Sequence, residues 1–129
     1  MNKLRLAMIG LGSRGRGLLK TAYLEHPLAQ FTAICDKYED RCKECADIVE
    51  QAGFPRPKTT TNYKEILEME DVDAVILCTS WDKHIDICIE AMHKGKAVGC
   101  EVGGAYSLRE CWKIVEAYEE TKVPVMLLE

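Results

Sequence analysis

The chain has 129 residues, which suits one domain and is too short for two ordinary domains. Hydrophobic residues make up 47% and charged residues 29%, a balance typical of globular proteins and not of disordered ones. Seventeen basic and 21 acidic residues give a formal net charge of −4 without a basic block, which argues against a nucleic-acid-binding protein.

The N-terminus and the cysteines indicate the compartment. No apolar run reaches the ~18 residues that a membrane-spanning helix needs, and the short stretch after the basic N-terminus does not resemble a signal peptide. Seven cysteines cannot all pair, so we expect reduced thiols in a cytoplasmic protein. Cys42 and Cys45 form the only CxxC pair, and no second pair follows at zinc-ligand spacing, so we expect no metal site.

Strand and helix patterns alternate through the first half of the chain. An apolar run that stops at Gly10 predicts a buried strand, and Asn62 with Glu65 predicts a capping box at the start of a short helix. In chain order, the predicted elements are a strand at 4–9, a helix at 13–26, a strand at 31–35, a helix at 38–52, a strand at 59–61 and a helix at 63–69.

The alternation continues in the second half. Ser107 and Glu110 predict a second capping box. The predicted elements are a strand at 72–78, a helix at 82–94, a strand at 97–100, a helix at 107–121 and a strand at 125–128. The last helix carries one apolar stripe, formed by Leu108, Cys111, Trp112, Val115 and Tyr118.

This alternation predicts an α/β domain over residues 1–129. Parallel strands joined by right-handed helical crossovers form a doubly wound sheet, the Rossmann fold, with helices on both faces. Six strands suit the order 3-2-1-4-5-6. The last predicted strand ends at the last residues of the sequence, so we expect a piece of a longer protein.

Glycines follow the first strand in the pattern G-x-G-x-x-G. Gly10 permits a tight turn, Gly12 lets a pyrophosphate approach the backbone, and Gly15 lets the helix pack close to the strand. Ser13 and Arg14 lie in the first turn of the helix, whose N–H groups attract phosphates. The alternatives are a flexible turn for the glycines and a solvated side chain for Arg14.

A carboxylate stands where a dinucleotide-binding domain holds the adenosine ribose. Asp36 ends the second strand, 21 residues after Gly15, and would accept hydrogen bonds from the ribose hydroxyls. It would repel a 2′-phosphate, so NAD is favoured over NADP, although Lys37 beside it weakens that preference. Arg41 would stack on adenine or lie on the helix surface. The alternative for Asp36 is an exposed loop acid.

Polar residues follow the fourth and fifth strands, at the sheet edge where ligands bind in this fold. Thr79 and Ser80 would cap the next helix or contact the cofactor. Trp81 would either form one side of the nicotinamide site or pack against the rest of the protein. His84 is a candidate acid or base, with a structural role as the alternative. Glu101 would face the nicotinamide end of the groove.

These residues resemble a known family. The whole chain is similar to the N-terminal NAD(P)-binding domain of the glucose–fructose oxidoreductase/inositol dehydrogenase (Gfo/Idh/MocA) family. The resemblance rests on GLGSRG at 10–15, Cys35-Asp36, NYKEIL at 62–67, DAVILCT at 73–79 with His84, and GKAV at 95–98 leading to Glu101.

The resemblance implies a cofactor, a reaction and a missing part. Family members transfer hydride between a nicotinamide cofactor and a sugar or polyol. They carry a second α/β domain, absent here, that supplies most substrate contacts, the catalytic Asp and His residues and often an oligomer interface. We therefore expect the 129 residues to be inactive alone.

One position departs from the family pattern. Family members usually have Glu-Lys-Pro after the fifth strand, with the lysine near the substrate hydroxyl, whereas this chain has Glu101-Val102-Gly103. Glu101 is then the remaining candidate catalytic residue. The segments at 80–81, 101–102 and 126–129 resemble a branch of NAD-dependent α-N-acetylgalactosaminidases, which oxidise the sugar, eliminate the glycoside and reduce the product. A non-catalytic nucleotide-binding module is the third hypothesis.

Overall fold

A computed structural model describes residues 2–129. Six parallel strands form one sheet in the order β3-β2-β1-β4-β5-β6, which confirms the predicted doubly wound topology. The strands are β1 (Leu4–Ile9), β2 (Ala29–Cys35), β3 (Lys58–Thr60), β4 (Ala74–Leu77), β5 (Ala97–Cys100) and β6 (Val125–Leu127). The α-helices are α1 (Ser13–Leu18), α2 (Glu39–Gln51), α3 (Tyr63–Glu68), α4 (His84–His93) and α5 (Leu108–Thr121).

The sheet has β1 in its interior, between β2 and β4. Met8 pairs with Ile34 on one side and with Ile76 on the other. Because both faces of a parallel sheet are covered by helices, β1 and β4 are apolar on both faces. Ala7 and Ile9 point into the core beneath α4, whereas Leu6 and Met8 point into the core beneath α2. The carboxyl ends of β1, β2, β4 and β5 therefore meet along one edge.

The first helix differs from the prediction of a single helix at 13–26. It is α-helical only over Ser13–Leu18 and continues as a π-helical turn over Leu19–Tyr23. The Thr21 hydroxyl donates to the carbonyl of Gly17 at 2.8 Å, inside the segment where the helix widens. Threonine hydroxyls that bond back to the preceding turn compete with the regular helical ladder.

One of the two predicted capping boxes is correct. The Glu110 amide donates to Ser107 Oγ at 3.2 Å and the Ser107 amide donates to Glu110 Oε2 at 3.2 Å. Asn62 does cap the next helix, because its Oδ1 accepts from the Lys64 amide at 3.1 Å, but the predicted reciprocal box with Glu65 is wrong. The Asn62 amide donates to Thr60 Oγ1 at 3.0 Å, and that hydroxyl donates to Glu65 Oε2 at 2.6 Å. The Thr60 hydroxyl, at the end of β3, thus bridges the Asn62 amide and the Glu65 carboxylate, which a capping box would join directly.

The apolar stripe of α5 faces solvent. Leu108, Trp112 and Tyr118 are 75%, 60% and 50% exposed, and among the residues of α5 only Ala117 is buried. The helix packs on α4 through its narrower opposite side, where Ile114 lies against the core. Within residues 2–129, every helix is too short or too polar to cross a bilayer.

Candidate functional site

A groove follows the carboxyl edge of the sheet. Together with a branch between α3, α4 and α5, it forms a cavity of about 1210 Å³. We call the part next to Asp36 the β2 end and the part next to Arg14 and Ser80 the β5 end. The predicted site residues that line the cavity are Gly10, Gly12, Ser13, Arg14, Asp36, Lys37, Arg41, Thr79 and Ser80.

The three motif glycines differ in what an added side chain would meet. Gly10 has a φ of +99°, and a Cβ there would overlap the backbone carbonyl of Cys78. A Cβ on Gly15 would overlap the carbonyl of Gly10, so this glycine sets the contact between α1 and the β1 turn. At Gly12 the nearest atom to such a Cβ is an Arg41 nitrogen at 3.8 Å. The fold thus requires Gly10 and Gly15, whereas Gly12 leaves a space that a ligand would fill.

Asp36 is held at the β2 end by backbone amides. Its Oδ2 accepts from the Leu11 amide at 2.7 Å and its Oδ1 accepts from the Tyr38 amide at 2.9 Å. The residue is 7% exposed, so it is not the exposed loop acid of the alternative interpretation. A carboxylate oxygen can accept more than one hydrogen bond, and Asp36 therefore retains acceptor capacity toward the groove.

Two cations lie over one aromatic ring at the β2 end. The Lys37 Nζ is 4.9 Å and the Arg41 guanidinium carbon 4.6 Å from the centre of the Tyr38 ring. Arg41 also places a nitrogen 3.7 Å from Asp36 Oδ2. Tyr38 is not among the site residues predicted from the sequence. Its signal was an aromatic residue one position after the Asp36-Lys37 pair.

An ion pair stands at the β5 end. Arg14 Nε lies 3.2 Å from Glu101 Oε2, and an Arg14 terminal nitrogen donates to Glu101 Oε1 at 3.3 Å. The hydrogen bond to Glu101 raises the pKa of the Arg14 guanidinium above its ordinary value. Glu101 is 4% exposed and does not line the cavity, whereas Arg14 does. Arg14 is therefore paired and not simply solvated, and its side chain both lines the cavity and contacts Glu101.

Trp81 packs against the loop after β5. Gly103 has a φ of +114°, and a Cβ there would overlap the indole ring of Trp81. Trp81 is still 54% exposed and lies outside the cavity lining. The structure therefore favours the packing role for one face of this side chain.

His84 lies in the core, beneath the groove. It is fully buried, and its Nε2 is 3.1 Å from the carbonyl oxygen of Thr79. Contact with the Cys100 thiol raises the pKa of His84. Contact with Cys88 and with His84 lowers the pKa of Cys100. This burial favours the structural interpretation of His84 over an acid–base role.

Comparison with known proteins decides the family. The model of the oxidoreductase family with an NAD-binding Rossmann fold matches residues 4–128. The chain belongs to the Gfo/Idh/MocA oxidoreductase family. Its fold is therefore that of an NAD-binding domain, as the sequence predicted.

Two relatives are much longer than this chain. The chain is 37% identical over 128 residues to an α-N-acetylgalactosaminidase from Bacteroides fragilis, covering 97% of this chain and 30% of that protein. It is 39% identical over 133 residues to a glycosyl hydrolase family 109 protein from Stenotrophomonas maltophilia, covering 98% and 29%. The chain thus spans less than a third of the length of these relatives.

Solved structures share the fold. An oxidoreductase from Thermotoga maritima superposes with a TM-score of 0.85 at 27% identity, covering 98% of this chain and 38% of that one. Myo-inositol 2-dehydrogenase from Lactobacillus plantarum gives a TM-score of 0.84 at 23% identity, covering 98% and 36%. At the lower identity the match shows the fold alone.

Proposed function

We propose that this chain is the cofactor domain of an enzyme that transfers hydride between a nicotinamide dinucleotide and a sugar or polyol. The observation that carries the proposal is the groove itself. It joins a glycine loop, a carboxylate pinned by two amides and a basic–aromatic pair at one sheet edge.

The groove residues fit the dinucleotide. Asp36 would accept from the adenosine ribose hydroxyls, which favours NAD over NADP, and Arg41 would cover the adenine. Gly12, Ser13 and the first amides of α1 would hold the pyrophosphate, because these N–H groups have no partner within the helix. The nicotinamide would lie at the β5 end, beside Thr79 and Ser80. When bound, it supplies the hydride chemistry, while this chain supplies binding and orientation.

The rest of the enzyme would lie outside these 129 residues. We propose that a second α/β domain supplies the substrate contacts, the catalytic acid–base residues and any oligomer interface, because the relatives are more than three times longer. All seven cysteines are free in the structure, which supports a cytoplasmic location. The acidic net charge gives no support to a nucleic-acid partner.

A second candidate reaction is NAD-dependent glycoside hydrolysis. It is supported by the two relatives described above, one an α-N-acetylgalactosaminidase and one a family 109 glycosyl hydrolase. It is also supported by Val102, which stands where dehydrogenases of the family usually have a lysine. Release of nitrophenol from a nitrophenyl glycoside by the longer protein, with no net NADH formed, would favour this reaction over sugar oxidation.

The cofactor proposal is tested by calorimetric titration of the chain with NAD+ and, separately, NADP+. We expect tighter binding of NAD+. Gly12→Ala should weaken NAD+ binding at least about tenfold, because the methyl group fills the space for the pyrophosphate. Gly17→Ala is the matched control, since nothing lies within 4 Å of the added Cβ.

Both glycine variants should fold, and their thermal unfolding is the check. Equal NAD+ affinity in the two variants would contradict the placement of the pyrophosphate at Gly12. Failure of the unaltered chain to bind either dinucleotide would overturn the cofactor proposal.

A further inference from the structure

The Arg14–Glu101 ion pair joins two segments that are 87 positions apart in the sequence. Its two members differ in exposure, because the Glu101 side chain is 6% exposed and that of Arg14 is 63% exposed. A carboxylate buried at the sheet edge is thus neutralised by one solvent-facing cation. Glu129 adds a weaker attraction on Arg14.

The pair lies on the side of the glycine loop opposite to Asp36. Asp36 follows β2, which is one strand from β1, whereas Glu101 follows β5, which is two strands away on the other side. A dinucleotide with its pyrophosphate on the loop and its adenosine at Asp36 extends its nicotinamide toward β5. The inference therefore rests on the proposed function.

The two redox states of the cofactor differ by one charge at this end of the groove. The nicotinamide ring is positive in NAD+ and neutral in NADH, while the rest of the molecule is unchanged. An unpaired carboxylate nearby would favour the oxidised ring, and an unpaired guanidinium would favour the reduced one. We infer that the Arg14–Glu101 pair sets the relative affinity of this domain for NAD+ and NADH, with Arg14 as the residue that determines this specificity.

Apart from Glu129, whose attraction on Arg14 is weaker, the residues near the β5 end that line the cavity do not carry a charge comparable to that of Arg14. Thr79 and Ser80 are neutral, and burial raises the pKa of Cys78 to about 12, so this thiol is uncharged at neutral pH. Lys83 lies 3.7 Å from Asp82 and is offset by it. The cations Lys37 and Arg41 lie at the β2 end. Arg14 is therefore the cation whose removal changes the field at the nicotinamide most.

The experiment compares the dissociation constants of NAD+ and NADH for the same protein, by calorimetry and by NADH fluorescence. Arg14→Gln should shift their ratio toward NAD+ by about fivefold or more, because the Glu101 charge is left uncompensated. Glu101→Gln should shift it by a similar factor toward NADH. The double variant should return close to the unaltered ratio, and Arg14→Lys should retain it.

Arg16→Gln is the matched control. Arg16 lies two residues along the same helix, and its guanidinium contacts Glu44 at 2.7 Å on α2. The substitution removes the same charge away from the β5 end, so the NAD+/NADH ratio should not change. Because Arg14 is exposed, its effect should shrink between 0.05 and 0.5 M salt, where the screening length falls from about 14 to about 4 Å.

The outcomes separate this inference from the proposed function. If neither dinucleotide binds the unaltered chain, the cofactor site is wrong and the inference falls with it. If both bind, but Arg14→Gln and Glu101→Gln leave the ratio unchanged or move it in the same direction, the cofactor site stands and the role of the ion pair is overturned. Circular dichroism shows whether each variant folds. If Arg14→Gln does not fold, the NAD+/NADH ratio of Glu101→Gln alone tests the role of the ion pair.

Discussion

The two ends of the groove hold their carboxylates in different ways. Asp36 at the β2 end is fixed by the amides of Leu11 and Tyr38, at 2.7 and 2.9 Å. Glu101 at the β5 end is held by the side chain of Arg14, at 3.2 and 3.3 Å. Both carboxylates are buried, yet the hydrogen bonds to Asp36 come from backbone amides, whereas those to Glu101 come from an exposed side chain.

This difference fits the two roles that we propose, cofactor binding at the β2 end and control of the NAD+/NADH preference at the β5 end. Backbone amides hold Asp36 wherever the fold forms, so its geometry is preorganised before a ligand arrives. The guanidinium that pairs with Glu101 is carried on a long, exposed side chain, so one substitution removes it. The β2 end is therefore suited to anchoring the invariant part of a ligand, and the β5 end to responding to the part that changes charge.

The largest expected effect comes from removing the preorganised carboxylate. Asp36→Ala should weaken NAD+ binding about 100-fold, because hydrogen bonds from the two ribose hydroxyls to a charged acceptor are lost. It should also lower the free energy of unfolding by about 1–3 kcal/mol, since the buried Leu11 amide loses its acceptor. Titration calorimetry and urea denaturation measure the two effects. An unchanged NAD+ affinity would show that Asp36 does not contact the ribose.

A smaller effect is expected on the choice between NAD+ and NADP+. Asp36→Ser should move the ratio of the two affinities about tenfold toward NADP+, because the repulsion of a 2′-phosphate disappears while Lys37 and Arg41 remain nearby. Adding Arg41→Ala to this variant should reverse most of the gain. If Asp36→Ser leaves the ratio of the NAD+ and NADP+ affinities unchanged, the source of the preference for NAD+ lies elsewhere in the groove.

The smallest effect on binding is expected from a carboxylate at the opposite edge of the sheet. Asp73 precedes β4 and accepts from the Arg5 side chain at 2.6 and 3.1 Å and from the Arg5 amide at 2.9 Å. Asp73→Asn should leave NAD+ affinity unchanged and reduce stability. A loss of NAD+ binding equal to that of Asp36→Ala would mean that both losses report general unfolding.

The stability effect of Asp73 has a defined pH dependence. The hydrogen bond from Arg5 lowers the pKa of Asp73 below its ordinary value near 4. Its contribution is therefore fully present above that ordinary value and is lost as the pH falls through the lower, folded-state pKa. The free energies of unfolding of the unaltered chain and of Asp73→Asn, measured by urea denaturation, should differ most at neutral pH and become equal in acid.

Several features could be predicted from the sequence because they depend on local periodicity and backbone sterics. Apolar runs such as Ala74–Leu77 identify buried strands, and helices between them permit only parallel crossovers of one hand. A glycine loop directly after β1 predicts the sheet edge where a dinucleotide would bind, and the spacing of Asp36 from that loop makes it the candidate carboxylate for the ribose. Element boundaries moved by one to several residues, as at β2, which begins at Ala29 and not at Phe31.

Other features were decided only by the tertiary structure, because they depend on which distant segments meet. The sequence could place Arg14 and Glu101 near one edge, but their pairing requires the glycine loop and the end of β5 to lie a few ångströms apart. The amphipathic pattern of α5 showed a stripe but not its direction, which follows from packing on α4. Local sequence patterns determine whether an element is a helix or a strand and which of its faces is apolar. Long-range packing decides which residues that face contacts.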